Sequence, residues 1–503
     1  MRKAIICWAL LLPILLQAQD AKFKTGATIK IDVDRTIGEV SPNIYGAFLE
    51  PIKRTVYGRI YDPRSPFADE DGFRKDLITL LKELKVTNVR YPGGNMVSGY
   101  NWEDGIGPKD KRPARLELAW NQVDSNQMGT DEYIKFMGKI GAENILCVNA
   151  GTGTVDQARH WVEYCNTDRG TYYAGLRRQY GHPEPYKIVH WGIGNEVDGP
   201  WQMGYKSVED YCKFALEAAK LMKWTDTSIR ITASGSANYF NDEFPDADWI
   251  KWNRTVLTEL RQYIDYLSIH RYWEDKTKDY YTFMSGAEDL EEKIGITASL
   301  IKEVSTKYRL KKRVYIAFDE YAVAIPPNYL NGICLAQYLN AFIRHADVVK
   351  QANYTQLSEL AADSKSGFYK TPISHVFQLY SNNCRGTSLD IQVLCDQFDA
   401  GLYKHIPYLD VTALYDRSQK RVVLNVVNRN KDQAITADIL SQTGGWGPRA
   451  TVYILDGKDL QATNSPDQSN VSVKQQSITV GKDRLTYTFP PHSFYQLILE
   501  QKE

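Results

Sequence analysis

The sequence predicts an α/β fold: a (β/α)8 TIM barrel followed by a C-terminal all-β sandwich domain. Three observations carry this. Between residues 41 and 360, apolar strand-like runs alternate with amphipathic helical stretches eight times. Beyond residue 370 the pattern changes to short period-two segments separated by turn residues, the mark of a sandwich. Finally, 503 residues is long for one hydrophobic core, which favours two folded units.

The elements follow in order. "MRKAIICWALLLPILLQAQD" has a short basic start, an apolar run and a small-residue exit near Ala18. It reads as a signal peptide over residues 1–19, too short for a membrane span. The expectation is an exported soluble protein, periplasmic or secreted, with no membrane attachment after cleavage. "ATIKIDVD", in the segment 20–40, alternates and is expected to add a strand to the sandwich.

The barrel is expected over residues 41–369. Its strands read "NIYGAFLE", "VTNVRYP", "NILCVNAG", "YKIVHWGIGNE", "IRITASG", "IDYLSIHRY", "RVYIAFDEY" and "VVKQANYTQ". Phe73, Leu77, Leu80, Leu81 and Leu84 mark one face of the first helix; Leu290, Ile294, Ile301 and Val304 mark a later one. A doubly wound open sheet is the rival arrangement. Its only nucleotide-like glycine pattern, "NAGTGT", lacks the GxGxxG spacing. The sandwich, residues 370–503, opens with a helical piece, "ISHVFQLYSN". Strands "LDVTALYD", "RVVLNVVNRN", "RATVYILD", "QSITV" and "RLTYTF" follow.

In such barrels chemistry sits where strands end. Reading those positions yields Glu50, Arg90, Asn195-Glu196, His270 with Tyr272, and Glu320. Two carboxylates, Glu196 from strand four and Glu320 from strand seven, would face one mouth. Glycoside hydrolysis needs such a pair, one to protonate the leaving oxygen and one to attack the anomeric carbon or activate water. Bland readings stand beside these. Asp319 could be the functional acid in place of its neighbour, Arg90 could serve only the fold, and His270 could be a core group. Trp102, Trp191, Trp201 and Trp273 suit either sugar platforms or core packing.

At this point a resemblance becomes specific. "GNE" closing strand four, with a second Glu closing strand seven, resembles the clan of (β/α)8 retaining glycosidases. "RYPGGNMVSGYNWEDGIGP" (90–108) and "WGIGNEVDGPWQMG" (191–204) are similar to glycoside hydrolase family 51, the α-L-arabinofuranosidases. "NAGTGT", "WVEYCN", "IHRYW" and "FDEY" fall in that family's order. The resemblance implies Glu196 as acid/base and Glu320 as nucleophile, with Asn195 on the sugar 2-hydroxyl. It implies Glu50, Arg90, Asn95 and Gln356 as groups that hold arabinose or orient the carboxylates, with His270 and Tyr272 beside them. It further implies an exo-acting retaining enzyme that releases arabinose from plant polysaccharides or their fragments, needs no cofactor or metal, and is often oligomeric. The chain departs from the pattern at Tyr321-Ala322, where Trp-Asn is usual, and at "LSELAADS" after Gln356, so the leaving-group side should differ.

Composition is ordinary for a soluble globular protein. Hydrophobic residues make up 43% and charged residues 24% of the chain, and Lys plus Arg equals Asp plus Glu at 61 each. That balance gives nucleic acid or acidic membranes no general attraction. Six cysteines follow the leader without a CxxC or Cys/His cluster, so buried free thiols are expected and a zinc site is not. Two rivals remain: another retaining clan glycosidase such as an endo-glucanase or xylanase, and a non-catalytic carbohydrate-binding barrel.

Overall fold

A computed structural model of the chain describes residues 26–239, 247–274, 277–323 and 326–502. Its centre is a closed barrel of eight parallel strands. In chain order these are β1 (Gly46–Phe48), β2 (Asn88–Tyr91), β3 (Glu143–Val148) and β4 (His190–Ile193). β5 (Arg230–Ser234), β6 (Tyr266–Trp273), β7 (Tyr315–Val323) and β8 (Val349–Thr355) complete it. The barrel closes where Asn353, Tyr354 and Thr355 of β8 pair with Gly46, Ala47 and Phe48 of β1. Among the described residues no helix is long and apolar enough to cross a membrane.

All eight expected strands are present, though two are shorter than their apolar runs. In "NIYGAFLE" the first half is a 3-10 turn, Pro42–Tyr45, because Ser41 caps it and proline sits at its start. In "YKIVHWGIGNE" the strand begins only at His190 and stops at Ile193. Gly194 (φ +77°) then turns the chain out of the sheet. Asn195 and Glu196 therefore lie on the turn beyond β4, not at its last residues.

The expected helix faces are also found. Leu77, Leu80 and Leu81 are buried on Lys75–Glu83, and Leu290, Ile294, Ile301 and Val304 on Gly286–Tyr308.

The sandwich has a four-stranded and a seven-stranded sheet. Strand Gly26–Ile31 lies in the four-stranded sheet, parallel to Ile435–Ser441 and antiparallel to Gln392–Leu394. In the larger sheet Leu409–Asp416, Arg421–Asn428, Ser493–Lys502 and Gly445–Leu455 run side by side. Ile435–Ser441 and Ser493–Lys502 were not evident in the sequence. The latter is buried at its first five positions, because one face meets the sandwich core and the other the barrel, which erases its alternation. The helix expected to open the sandwich, Pro372–Asn383, bonds instead to the barrel helix Tyr329–Arg344 through Tyr380, whose ring stacks on Phe494 of the larger sheet at 5.3 Å and 14° and so joins the two units. All six described cysteines are free and buried.

Candidate active site

The expected site residues converge on a cavity of about 890 Å³ at the C-terminal mouth of the barrel. Glu50, Asn95, Glu196, His270, Tyr272, Glu320 and Gln356 line it. Arg90 and Asn195 lie beneath, both buried. Trp102 and Trp191 belong to the core, whereas Trp201 and Trp273 line the cavity.

β7 supplies Glu320, held from two sides. Arg90 Nη1 of β2 donates to its Oε2 at 2.9 Å, and the Tyr272 hydroxyl of β6 donates to its Oε1 at 2.5 Å. Arg90 also donates through Nη2 to Asn195 Oδ1 at 2.6 Å and meets Asp319 through Nε at 3.2 Å. The burial that would discharge this guanidinium is more than offset by Asp319 and Glu320, so it stays a cation.

Glu196 sits across the mouth with a left-handed backbone (φ +45°), in a turn closed by the Gly199 N–H on its own carbonyl at 2.7 Å. That conformation costs a non-glycine residue roughly 1–2 kcal/mol, and the turn aims the side chain into the cavity. His270 Nδ1 contacts its Oε1 at 3.0 Å, and the Trp201 indole donates to its Oε2 at 2.8 Å. Behind the imidazole stand Asp319, 3.3 Å from Nε2, and Ser268, whose hydroxyl is 3.1 Å from the same atom.

These contacts set the charges. Burial opposes a charged His270, but Glu320, Asp319 and Glu196 together push it up to about 10, so it is a cation at neutral pH. Burial works to raise Glu196 as well, and the hydrogen bond and charge of His270 outweigh it, holding Glu196 below the usual carboxylate range. Glu320 is raised, by burial first and by the Glu196 charge, against His270 and Arg90. Glu50 is pushed up to about 8 by burial, although the Met96 N–H and the Trp120 indole both donate to its Oε1 at 2.7 and 2.9 Å. Two buried amide donors, Asn195 Nδ2 and Gln356 Nε2, have no protein partner among the described residues.

Ligand atoms of Glu196, His270 and Glu320 lie within 4.8 Å of one another, a set able to hold a metal ion. A cationic His270 disfavours that use, since a metal needs the neutral imidazole.

Sequence reasoning missed Gln202 and Trp120, left Trp201 open between sugar platform and core, and weighed Asp319 only as a substitute for Glu320. Trp201 and Gln202 stood inside a quoted motif, but their direction toward Glu196 depends on the turn. Trp120 had no local signal, since it reaches Glu50 from a hairpin of strands Arg115–Glu117 and Gln122–Asp124.

Comparison with known proteins decides the family. An α-L-arabinofuranosidase 1 domain matches residues 80–285, and an α-L-arabinofuranosidase C-terminal domain matches residues 319–493. A Bacillus subtilis (strain 168) protein named intracellular exo-α-(1→5)-L-arabinofuranosidase 1 is 36% identical over 502 residues, covering 95% of this chain and 99% of its own. A Halalkalibacterium halodurans relative, named intracellular exo-α-(1→5)-L-arabinofuranosidase, is 34% identical with the same coverage of 95% and 99%. The solved α-L-arabinofuranosidase of Thermotoga maritima, in an arabinose complex, matches with TM-score 0.86 at 36% identity, covering 94% of this chain and 100% of that one. The chain belongs to glycoside hydrolase family 51, the α-L-arabinofuranosidases.

Membership brings an arabinose-containing substrate and the hydrolysis of α-L-arabinofuranosides. It also corrects one expectation. Relatives matching this chain over 82% to 95% of its length are named intracellular, which overturns the reading of an exported enzyme. The segment that suggested a signal peptide lies outside the described residues. Its basic-then-apolar pattern is a short compositional signal, weaker than likeness along the whole chain.

The two departures from the family pattern are visible at the mouth. Tyr321 turns into the core against Phe342 and Tyr354, and Ala322 lines the cavity. After Gln356 a 3-10 turn, Leu357–Leu360, brings Glu359 to the cavity, where it pairs with Arg59.

Proposed function

We propose that this family 51 chain acts as a retaining exo-α-L-arabinofuranosidase with Glu320 as nucleophile and Glu196 as acid/base. The observation that carries the reading is the separation of the two carboxylates, whose facing oxygens lie within 4.8 Å. Retention through a covalent intermediate uses about 5–5.5 Å, whereas inversion needs about 6.5–9.5 Å to admit a water.

In the first step a Glu320 oxygen bonds to the anomeric carbon as the glycosidic C–O bond breaks. The leaving oxygen takes a proton from the Glu196–His270 pair, which holds one proton across the 3.0 Å contact. Arg90 and Tyr272 keep Glu320 oriented for attack. Esterification removes the Glu320 charge. His270 and Glu196 then hold a proton less tightly, so Glu196, having given its proton to the leaving oxygen, stays ionised and free to accept one from water. Water attacks the anomeric carbon, gives its proton to Glu196, and frees the sugar and Glu320. Asn195 Nδ2 and Gln356 Nε2 are the unpaired donors available to sugar hydroxyls. The relatives' names support the α-(1→5)-arabinofuranosyl linkage as the bond cleaved.

Hydrolysis of 4-nitrophenyl glycosides tests this. Release from the α-L-arabinofuranoside should vanish in Glu320→Ala. Glu196→Ala should lose about a hundredfold to ten-thousandfold on an arabinobiose, and much less on the activated aryl substrate. Equal loss on both substrates would remove Glu196 from the acid role.

A further inference from the structure

Gln202 belongs to the turn after β4 and is buried, but it does not line the cavity. Its side chain links three groups. Ser98, itself buried, donates its hydroxyl to Gln202 Oε1 at 2.9 Å. Gln202 Nε2 donates to Asn95 Oδ1 and approaches Glu196 Oε2 at 3.4 Å.

The polarity of this chain of bonds is fixed at one end. Glu196 Oε2 already accepts the Trp201 indole N–H, and the proton shared with His270 lies at Oε1, so the Gln202 atom turned toward Oε2 is its NH2. That NH2 then requires the oxygen of Asn95, which leaves Asn95 Nδ2 free. Asn95 lines the cavity, and its Nδ2 has no protein partner among the described residues. An amide alone could sit either way round, since oxygen and nitrogen have nearly the same shape. Here the carboxylate decides the orientation through Gln202.

We infer that Gln202 is a positioning residue: it locks the Asn95 amide so that a hydrogen-bond donor, not an acceptor, meets a ring or hydroxyl oxygen of the bound arabinose. The inference rests on the arabinose site proposed above. It adds the polarity of the Asn95 contact and the residue that imposes it. Gln202 touches no substrate and acts through Asn95.

The test is L-arabinose affinity by calorimetry for the unaltered chain, Gln202→Met, Asn95→Ala, Asn95→Asp and the double variant Gln202→Met/Asn95→Ala. Gln202→Met keeps the length of the side chain and removes the lock; it should weaken arabinose five- to tenfold. Asn95→Ala should lose about tenfold, the worth of one hydrogen bond. The double variant should lose no more than Asn95→Ala alone, because Gln202 works through that amide. Asn95→Asp, which can still accept from Gln202 but presents an oxygen to the sugar, should lose at least as much as Asn95→Ala. On the aryl arabinofuranoside, Gln202→Met should raise KM more than it lowers kcat.

Arabinose affinity within twofold of the unaltered chain in Gln202→Met or Asn95→Asp would overturn the inference, and so would losses that multiply in the double variant. Absence of arabinose binding by the unaltered chain would overturn the arabinose site itself, and this inference with it.

Discussion

At the scale of single residues the site is governed by buried charge. Glu50 shows what burial does to one carboxyl. Its Oε1 already accepts two N–H groups, so at neutral pH the proton retained by a group titrating at about 8 sits on Oε2, where it can donate. Glu50→Gln reproduces both the acceptor and a donor. It should stay within about tenfold of the unaltered kcat/KM, whereas Glu50→Ala should fall by well over that, a full lost hydrogen bond plus a hole. His270 gives a signed prediction. Its folded-state value near 10 lies above the ordinary 6.5, so its pairing stabilises the fold fully below about pH 6.5 and is lost as pH rises through 10. A 15N titration should find the imidazole still protonated at pH 8; a neutral ring there would remove the cation from the proposed proton exchange. Glu196 and Arg90 were legible because their motifs are long, and Glu320 and His270 because the short "FDEY" and "IHRYW" end strands in the family's order. Gln202 was not, and Trp201 stayed open between platform and core, since a side chain's direction past a turn is set by backbone angles that a residue list does not contain.

At the scale of elements, strands and loops carry different information. Barrel strands buried on both faces appear as apolar runs, which is why all eight were legible. Their ends were less so: β4 stops at Ile193 because Gly194 breaks the pairing, three residues before Glu196. The loop after β2 is built on close approach. Gly93 has φ +98°, and a Cβ there would stand 2.3 Å from Glu50 Cβ. Gly93→Ala should therefore cost more than about 2 kcal/mol by combined strain and overlap. It should also displace Glu50, lowering both the urea midpoint and the arabinose affinity. Gly94 has no such angle. Its Cβ would come 3.1 Å from Glu50 Oε2 and 3.5 Å from Glu320 Oε2, so alanine there should disturb the site more than the fold.

For the whole molecule, the sandwich is not an appendage. Arg344, on helix Tyr329–Arg344 beside the barrel, meets Asp410 of the seven-stranded sheet, and that carboxylate is almost fully buried. Arg344→Met would leave Asp410 without its counter-charge, a loss of about 3 kcal/mol in chemical denaturation, while kcat on an aryl arabinofuranoside stays unchanged. A kinetic effect would instead show that the docking of the two units reaches the site. The sequence by itself determined the order of the barrel strands, a barrel followed by a sandwich, and which two carboxylates stand at one mouth. Periodicity and long motifs are local properties, written directly in the chain. Only the tertiary structure decided how near the two carboxylates come, which groups carry protons, and which strands of the sandwich lie against the barrel. Those depend on groups far apart in sequence, such as Arg90 with Glu320 and Tyr380 with Phe494, meeting in a low-dielectric interior where distance and burial fix the energies.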